Sequence, residues 1–106
     1  MLRTRQYLRL SDVPPSEWVE IFDAERQFPR HSMWRRAWVE SDRIVVHCVP
    51  EELKQYHLRD LKEDVANSNS KYRQLLMDLE RQRLAEKKRE QKEKTTLDDA
   101  LDDLDL

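Results

Sequence analysis

A chain of 106 residues has the length of one domain; at 38% apolar and 40% charged it can fill one modest core, but its charge far exceeds the ~25% of an ordinary globular domain. The complete absence of glycine removes the Walker phosphate loop, the dinucleotide GxGxxG turn and the nucleophile elbow, and the single cysteine removes an intrachain disulfide. Ile44–Val49, the longest apolar stretch, is interrupted by His47 and falls far short of the ~20 residues of a membrane span; the basic opening Met1–Leu10 lacks an export signal's apolar run, so a cytoplasmic protein without membrane contact is expected.

The first segment alternates with a period of two. Arg3, Arg5, Tyr7 and Arg9 fall on one face, and Thr4, Gln6, Leu8 and Leu10 on the other, which predicts a strand. Ser11-Asp12-Val13-Pro14-Pro15 ends it, because two prolines fix φ and supply no donors. A helix is predicted at about Pro15–Arg26, with Trp18, Ile21 and Phe22 on its apolar side and Glu17, Glu20, Asp23 and Glu25 opposite. Beyond the Phe28-Pro29-Arg30-His31 loop, Met33–Val39 and Arg43–Val49 read as an antiparallel hairpin around Glu40-Ser41-Asp42. Without glycine its turn is expected to be loose, or to hold Ser or Asp in the left-handed region. On a strand starting at Met33, Trp34 and Trp38 share a face, and both are expected to pack under the first helix.

Pro50-Glu51-Glu52 opens a second helix, with proline at its start and acids meeting the positive end of the dipole. Leu58, Leu61, Val65, Ser68, Tyr72, Leu75 and Leu79 keep 3-4 spacing, the seam of a coiled coil or of a long helix lying on a sheet. The seam passes through Asn67-Ser68-Asn69-Ser70, four poor helix formers that either interrupt one helix or are carried through it. From Arg81 to Lys94 there are seven basic and three acidic residues, a solvated basic face. The segment charges are +1 for Met1–Pro50, +2 for Glu51–Lys94 and −5 for Thr95–Leu106. The expected organisation is an α+β head (1–66), a helical and increasingly basic arm (67–94) and an acidic-leucine tail (95–106). The expected fold has a small three-stranded antiparallel sheet in β-α-β-β-α order packed by helices, a long C-terminal helix and a disordered acidic tail.

His31, His47, Cys48 and His57 show no zinc-site spacing, so no metal, cofactor or catalytic residue is nominated. His57 and Asp60, one helical turn apart, read as a surface salt bridge, and Cys48 as core. Arginine interleaved with aromatics is more informative: Arg3, Arg5, Tyr7 and Arg9 on the first strand, then Arg30, His31, Trp34, Arg35, Arg36 and Trp38 before and along the second, are the chemistry that stacks bases and holds phosphates of single strands. The element order, with Tyr7-Leu8-Arg9-Leu10 running into a proline turn, resembles the opening of the RNA-recognition-motif family. Arg43-Ile44-Val45-Val46-His47 lacks that family's third-strand glycine and paired aromatics, and a helix stands where the family has a fourth strand, so its stacking residues are not carried over.

In the tail, Leu97, Leu101 and Leu104 fall at i, i+4 and i+7 among acids, one amphipathic strip if a groove is offered. Asp99–Leu106 resembles the acidic activation repeat of herpesvirus tegument transactivators, with Leu104 where that repeat has its aromatic. The tail is also similar in kind to the acidic tips of bacterial single-stranded-DNA-binding proteins, with Leu106 as the terminal apolar residue. The resemblances imply a binding mode in which leucines enter a groove and acids steer toward a basic rim. The expected function is a non-catalytic adaptor or modulator that docks on another protein through Leu97, Leu101, Leu104, Leu106, Asp102 and Asp103 and through the arm. The alternative is a single-stranded nucleic-acid binder using Arg3, Arg5, Tyr7, Arg9, Trp34, Arg35 and Arg36, with the tail competing for that face. A tail folded back on the basic arm, and self-association through the Leu58–Leu79 seam, stay open beside these.

Overall fold

The computed structural model describes residues 2–104, with side chains through Leu97. Alternation in the first segment yields β1, Thr4–Arg9, and the proline pair ends it where expected. Pro15 then caps α1, Ser16–Glu25, within a residue of the predicted bounds. Strand β2 is Ala37–Glu40 and β3 is Arg43–Cys48. All three strands pair antiparallel in the order β1-β3-β2, so the α+β sheet is as the sequence predicts.

The hairpin closes through Ser41 and Asp42, and Ser41 has φ 54°, the left-handed conformation expected of a turn without glycine. β2 begins later than predicted. Residues 33–36 lie outside it, which takes Trp34 and Arg35 off the sheet.

The core forms on one face of the sheet. Ile44, Val46 and Cys48 of β3 meet Trp18 and Phe22 of α1 and Leu61 of the last helix, with Leu8, Ala37 and Val39 half-buried around them. Trp18 and Phe22 stack at 5.4 Å with their planes 10° apart. Pro50–Glu52 forms a single turn, α2, at the position predicted for a helix start. Leu53–His57 is then a π-helical turn, in which Leu58 N–H reaches back five residues to the Leu53 carbonyl. α3 runs Leu58–Leu104.

The Asn67–Ser70 segment is helical throughout, and its composition has a tertiary cause. Ser68 is fully buried and returns its hydroxyl to the Asp64 carbonyl at 2.7 Å, while Asn69 Oδ1 accepts the Trp18 indole N–H at 2.8 Å. Small or polar groups are needed there, and helix propensity yields to packing.

The chain divides into two compact units, residues 1–72 and 73–106. In the second, α3 is supported by short-range pairs, Gln74 to Asp78 at 2.9 Å and Glu80 to Arg83 at 2.7 Å. Thr95 and Thr96 continue it by bonding the carbonyls of Gln91 and Lys92. The side chains of Leu101, Asp102, Asp103 and Leu104, and all of Leu106, lie outside the described residues; the backbone of the tail expected to be disordered is helical as far as Leu104. Among the described residues no helix is long and apolar enough to cross a membrane.

Candidate nucleic-acid interface

Strand parity assigns every side chain of the sheet to a face. Residues packed on the helices are even-numbered in β1 and β3 and odd-numbered in β2; the others form the opposite face. Three cross-strand rows build that helix-free face. In the first, Arg5 lies beside His47, whose N–H donates to the Arg36 carbonyl at 3.2 Å. In the second, Tyr7, Val45 and Trp38 stand side by side; in the third, Arg9, Arg43 and Glu40 do.

The central row explains a residue the core does not account for. Val45 is fully buried although it points away from the helices, because Tyr7 and Trp38 flank it. The guanidiniums of Arg5 and Arg36 lie 5.8 and 5.3 Å from the Trp38 ring centre, and that of Arg43 lies 4.5 Å from Tyr7. Each ring is thereby paired with a cation but remains on the surface, Tyr7 at 49% exposure. The Trp38 indole N–H donates to Glu40 at 3.0 Å, which fixes the ring's orientation.

Four arginines therefore converge on one face. Opposed to them are Glu40 and Asp42, both at the hairpin end, 3.8 Å from Arg43 and Arg9 respectively. The acids of α1 sit on another element, so the head's small net charge conceals a separation of signs. A flat basic face with rings in its middle row can stack bases and hold the phosphates between them.

The nominated residues separate into two groups. Arg5, Tyr7, Arg9 and Arg36 come together on this face, and Arg3, exposed, immediately precedes β1. Trp34 and Arg35 do not join them. The guanidiniums of Arg26 and Arg30 lie over the Trp34 ring, 4.0 and 4.6 Å from its centre, and the His31 ring stands nearly perpendicular to it at 5.4 Å. Both arginines bind the fully buried Asp64 of α3, Arg26 at 2.5 Å. Arg26 also donates to the Arg35 carbonyl at 3.0 Å. Burial lowers the Arg26 pKa, and the hydrogen bond to Asp64 opposes that shift. Trp38, expected under α1, faces away from it, and Ala37 and Val39 occupy the inner positions.

Arg43 and Val45 belong to the face, and neither was nominated from the sequence. Parity within Arg43–Val49 carries the signal, since Arg43, Val45 and His47 share one side of that strand.

A second polar group lies at the far end of β3. Glu52 Oε2 is 3.7 Å from Nε2 of the buried His57 and 3.6 Å from Arg35 Nε, all beyond good hydrogen-bond length. Burial lowers the His57 pKa, with Glu52 opposing it, and burial raises that of the Cys48 thiol. The expected surface pair of His57 with Asp60 does not form: His57 is buried and faces Glu52, and Asp60 instead meets His31 at 2.6 Å. Cys48 is core, as expected. Among the described residues no cluster of histidine, cysteine and carboxylates could hold a metal ion.

The tail leucine with a described side chain, Leu97, is 59% exposed, and Leu76, Met77, Leu79 and Leu84 of the second unit are exposed as well. Of the Leu58–Leu79 seam, Leu61 and Ser68 are buried in the head, while Leu79 is open. No family model, no curated protein and no solved structure matches this chain.

Proposed function

We propose that this protein binds single-stranded nucleic acid across the helix-free face of its sheet, with Trp38 and Tyr7 stacking on bases and Arg5, Arg9, Arg36 and Arg43 holding phosphates. One observation carries the reading: the row Tyr7–Val45–Trp38 is bordered by rows containing these four arginines. Stacking tolerates any base, so binding without strong sequence preference is the expected behaviour.

Fluorescence anisotropy with labelled oligonucleotides tests it. Affinity should fall with salt, with a log–log slope near −0.7 for each phosphate neutralised. Trp38→Ala should weaken binding by ~1–3 kcal/mol through lost stacking. Replacing Arg5, Arg9 and Arg36 together by Ala should abolish it and flatten the salt dependence. A flat anisotropy signal at low salt would refute the proposal.

The adaptor reading has its own support in the exposed apolar side chains Leu76, Met77, Leu79, Leu84 and Leu97 of the second unit. In that reading Leu101→Ala and Leu104→Ala remove partner capture while every charge is kept.

A further inference from the structure

The sheet ends at β1, which pairs only with β3 among the described residues. Leu10 N–H donates to the Asp42 carbonyl at 2.6 Å, so Leu10 and Asp42 form a hydrogen-bonded pair. The alternation of an antiparallel ladder then directs the main-chain groups of Gln6 and Leu8 toward β3, and those of Arg5, Tyr7 and Arg9 toward the open edge. On the helix side lies a groove of about 300 Å³, lined by Leu8 and Leu10 of β1 and by Leu58, Leu61 and Val65 of α3. No residue of α1 or β2 lines it, which sets it on the β1 side of the sheet, and its charged lining residues, Arg9 and Lys62, are both cationic.

We propose that this edge accepts an extended segment of a partner protein as a fourth strand, in which apolar and acidic residues alternate. The backbone groups of Arg5, Tyr7 and Arg9 supply the main-chain hydrogen bonds. A strand added there turns every second side chain to the helix side, where the groove takes apolar groups. The intervening side chains come beside Arg5 and Arg9, which favour carboxylates as cross-strand neighbours. A second copy of β1 fits the same place badly. Antiparallel pairing about Tyr7 sets Arg5 of one copy against Arg9 of the other, and like charges directly opposite are destabilising. The inference concerns the edge backbone and the groove, so it stands whether or not the sheet face binds nucleic acid.

The test uses the full chain without nucleic acid, a blocked heptapeptide of alternating glutamate and valine, and amide hydrogen exchange followed by NMR. Saturating peptide should slow exchange at Arg5, Tyr7 and Arg9 by roughly tenfold or more, while Gln6 and Leu8, already bonded to β3, change little. A peptide of the same composition with glutamates and valines in separate blocks should not reproduce the protection. Leu58→Glu, with its fold checked by circular dichroism, should weaken alternating-peptide binding by about tenfold or more. Unchanged exchange at the three edge amides overturns the proposal, as does equal protection by the block peptide. Edge protection that precedes peptide and grows with protein concentration also overturns it, because the occupant is then a second copy. If Leu58→Glu fails to fold, the exchange data on the unaltered chain decide.

Discussion

At the scale of single residues, Asp64 ties α3 to Arg26 at the end of α1 and to Arg30 of the following loop. Its carboxylate is fully buried and bound by two guanidiniums, and the Arg26 side chain retains only 5% of its exposure. Removing one partner from a buried pair leaves the other charge uncompensated, so Asp64→Asn should lower stability by ~3–5 kcal/mol in denaturant titration. A loss near zero would mean that solvent already screens Arg26. His57 carries the acid sensitivity. Burial keeps its folded-state pKa below the ordinary imidazole value, so the unfolded chain takes up a proton near pH ~6.5 while the folded chain still resists it. Stability is therefore full above that range and declines as the pH falls through it toward the lower folded pKa. Urea midpoints measured from about pH 7 to about pH 5 should show the decline, and His57→Gln should flatten it. An equal slope in the variant would assign the loss to other groups. Neither role was legible in the sequence, where Asp64 is one acid among many in the helix and His57 sits one turn from an acid that in fact meets His31.

At the scale of elements, the hairpin shows a local rule honoured without its usual residue. A left-handed L-residue costs roughly 1–2 kcal/mol, and Ser41 bears that cost where glycine would not. Ser41→Gly should raise stability by ~0.5–1 kcal/mol, a part of the strain being offset by the freer unfolded chain, whereas Ser41→Val should lower it. Thermal melts that rank the two variants the other way would contradict the turn assignment. The strand alternation, the proline-bounded helix and the Pro50 start were readable because each depends on neighbours in sequence. The start of β2 was not. Trp34 and Arg35 have the composition of a strand, but Trp34 packs on Arg26 and Arg30, which are held by ion pairs with Asp64 of α3.

At the scale of the whole molecule, the decisive property is where the charges lie. The first fifty residues sum to +1, which argues against phosphate binding, yet pairing β1 with β3 and β3 with β2 gathers Arg5, Arg9, Arg36 and Arg43 on one face. Potentials follow local arrangement, not the total. The acidic tail belongs to a different part of the balance. A segment without aromatics and with a charge of −5 buries little, so deleting Thr95–Leu106 should leave the thermal midpoint nearly unchanged. A drop of many degrees would make the tail part of the core. If the sheet face binds nucleic acid, the same deletion should tighten that binding in low salt by removing five competing carboxylates.

By itself the sequence determined the α+β class, the element order and which side of β1 is apolar, because period-two alternation, proline positions and 3-4 spacing are set within a few residues. It also determined that the hairpin must close without glycine. The tertiary structure alone decided which face each cationic and aromatic side chain joins: Trp38 turned away from α1, Trp34 packed on Arg26 and Arg30, and Arg43 aligned with Arg9. It likewise decided that Asn67–Ser70 stays helical, through the burial of Ser68 and the bond from Trp18 to Asn69. The physical reason is common to all of these. The register of β1 on β3, and the partner of a buried polar group, depend on residues 34 to 51 positions apart, as with Trp18 and Asn69 or Arg30 and Asp64, and no local pattern along the chain encodes such pairings.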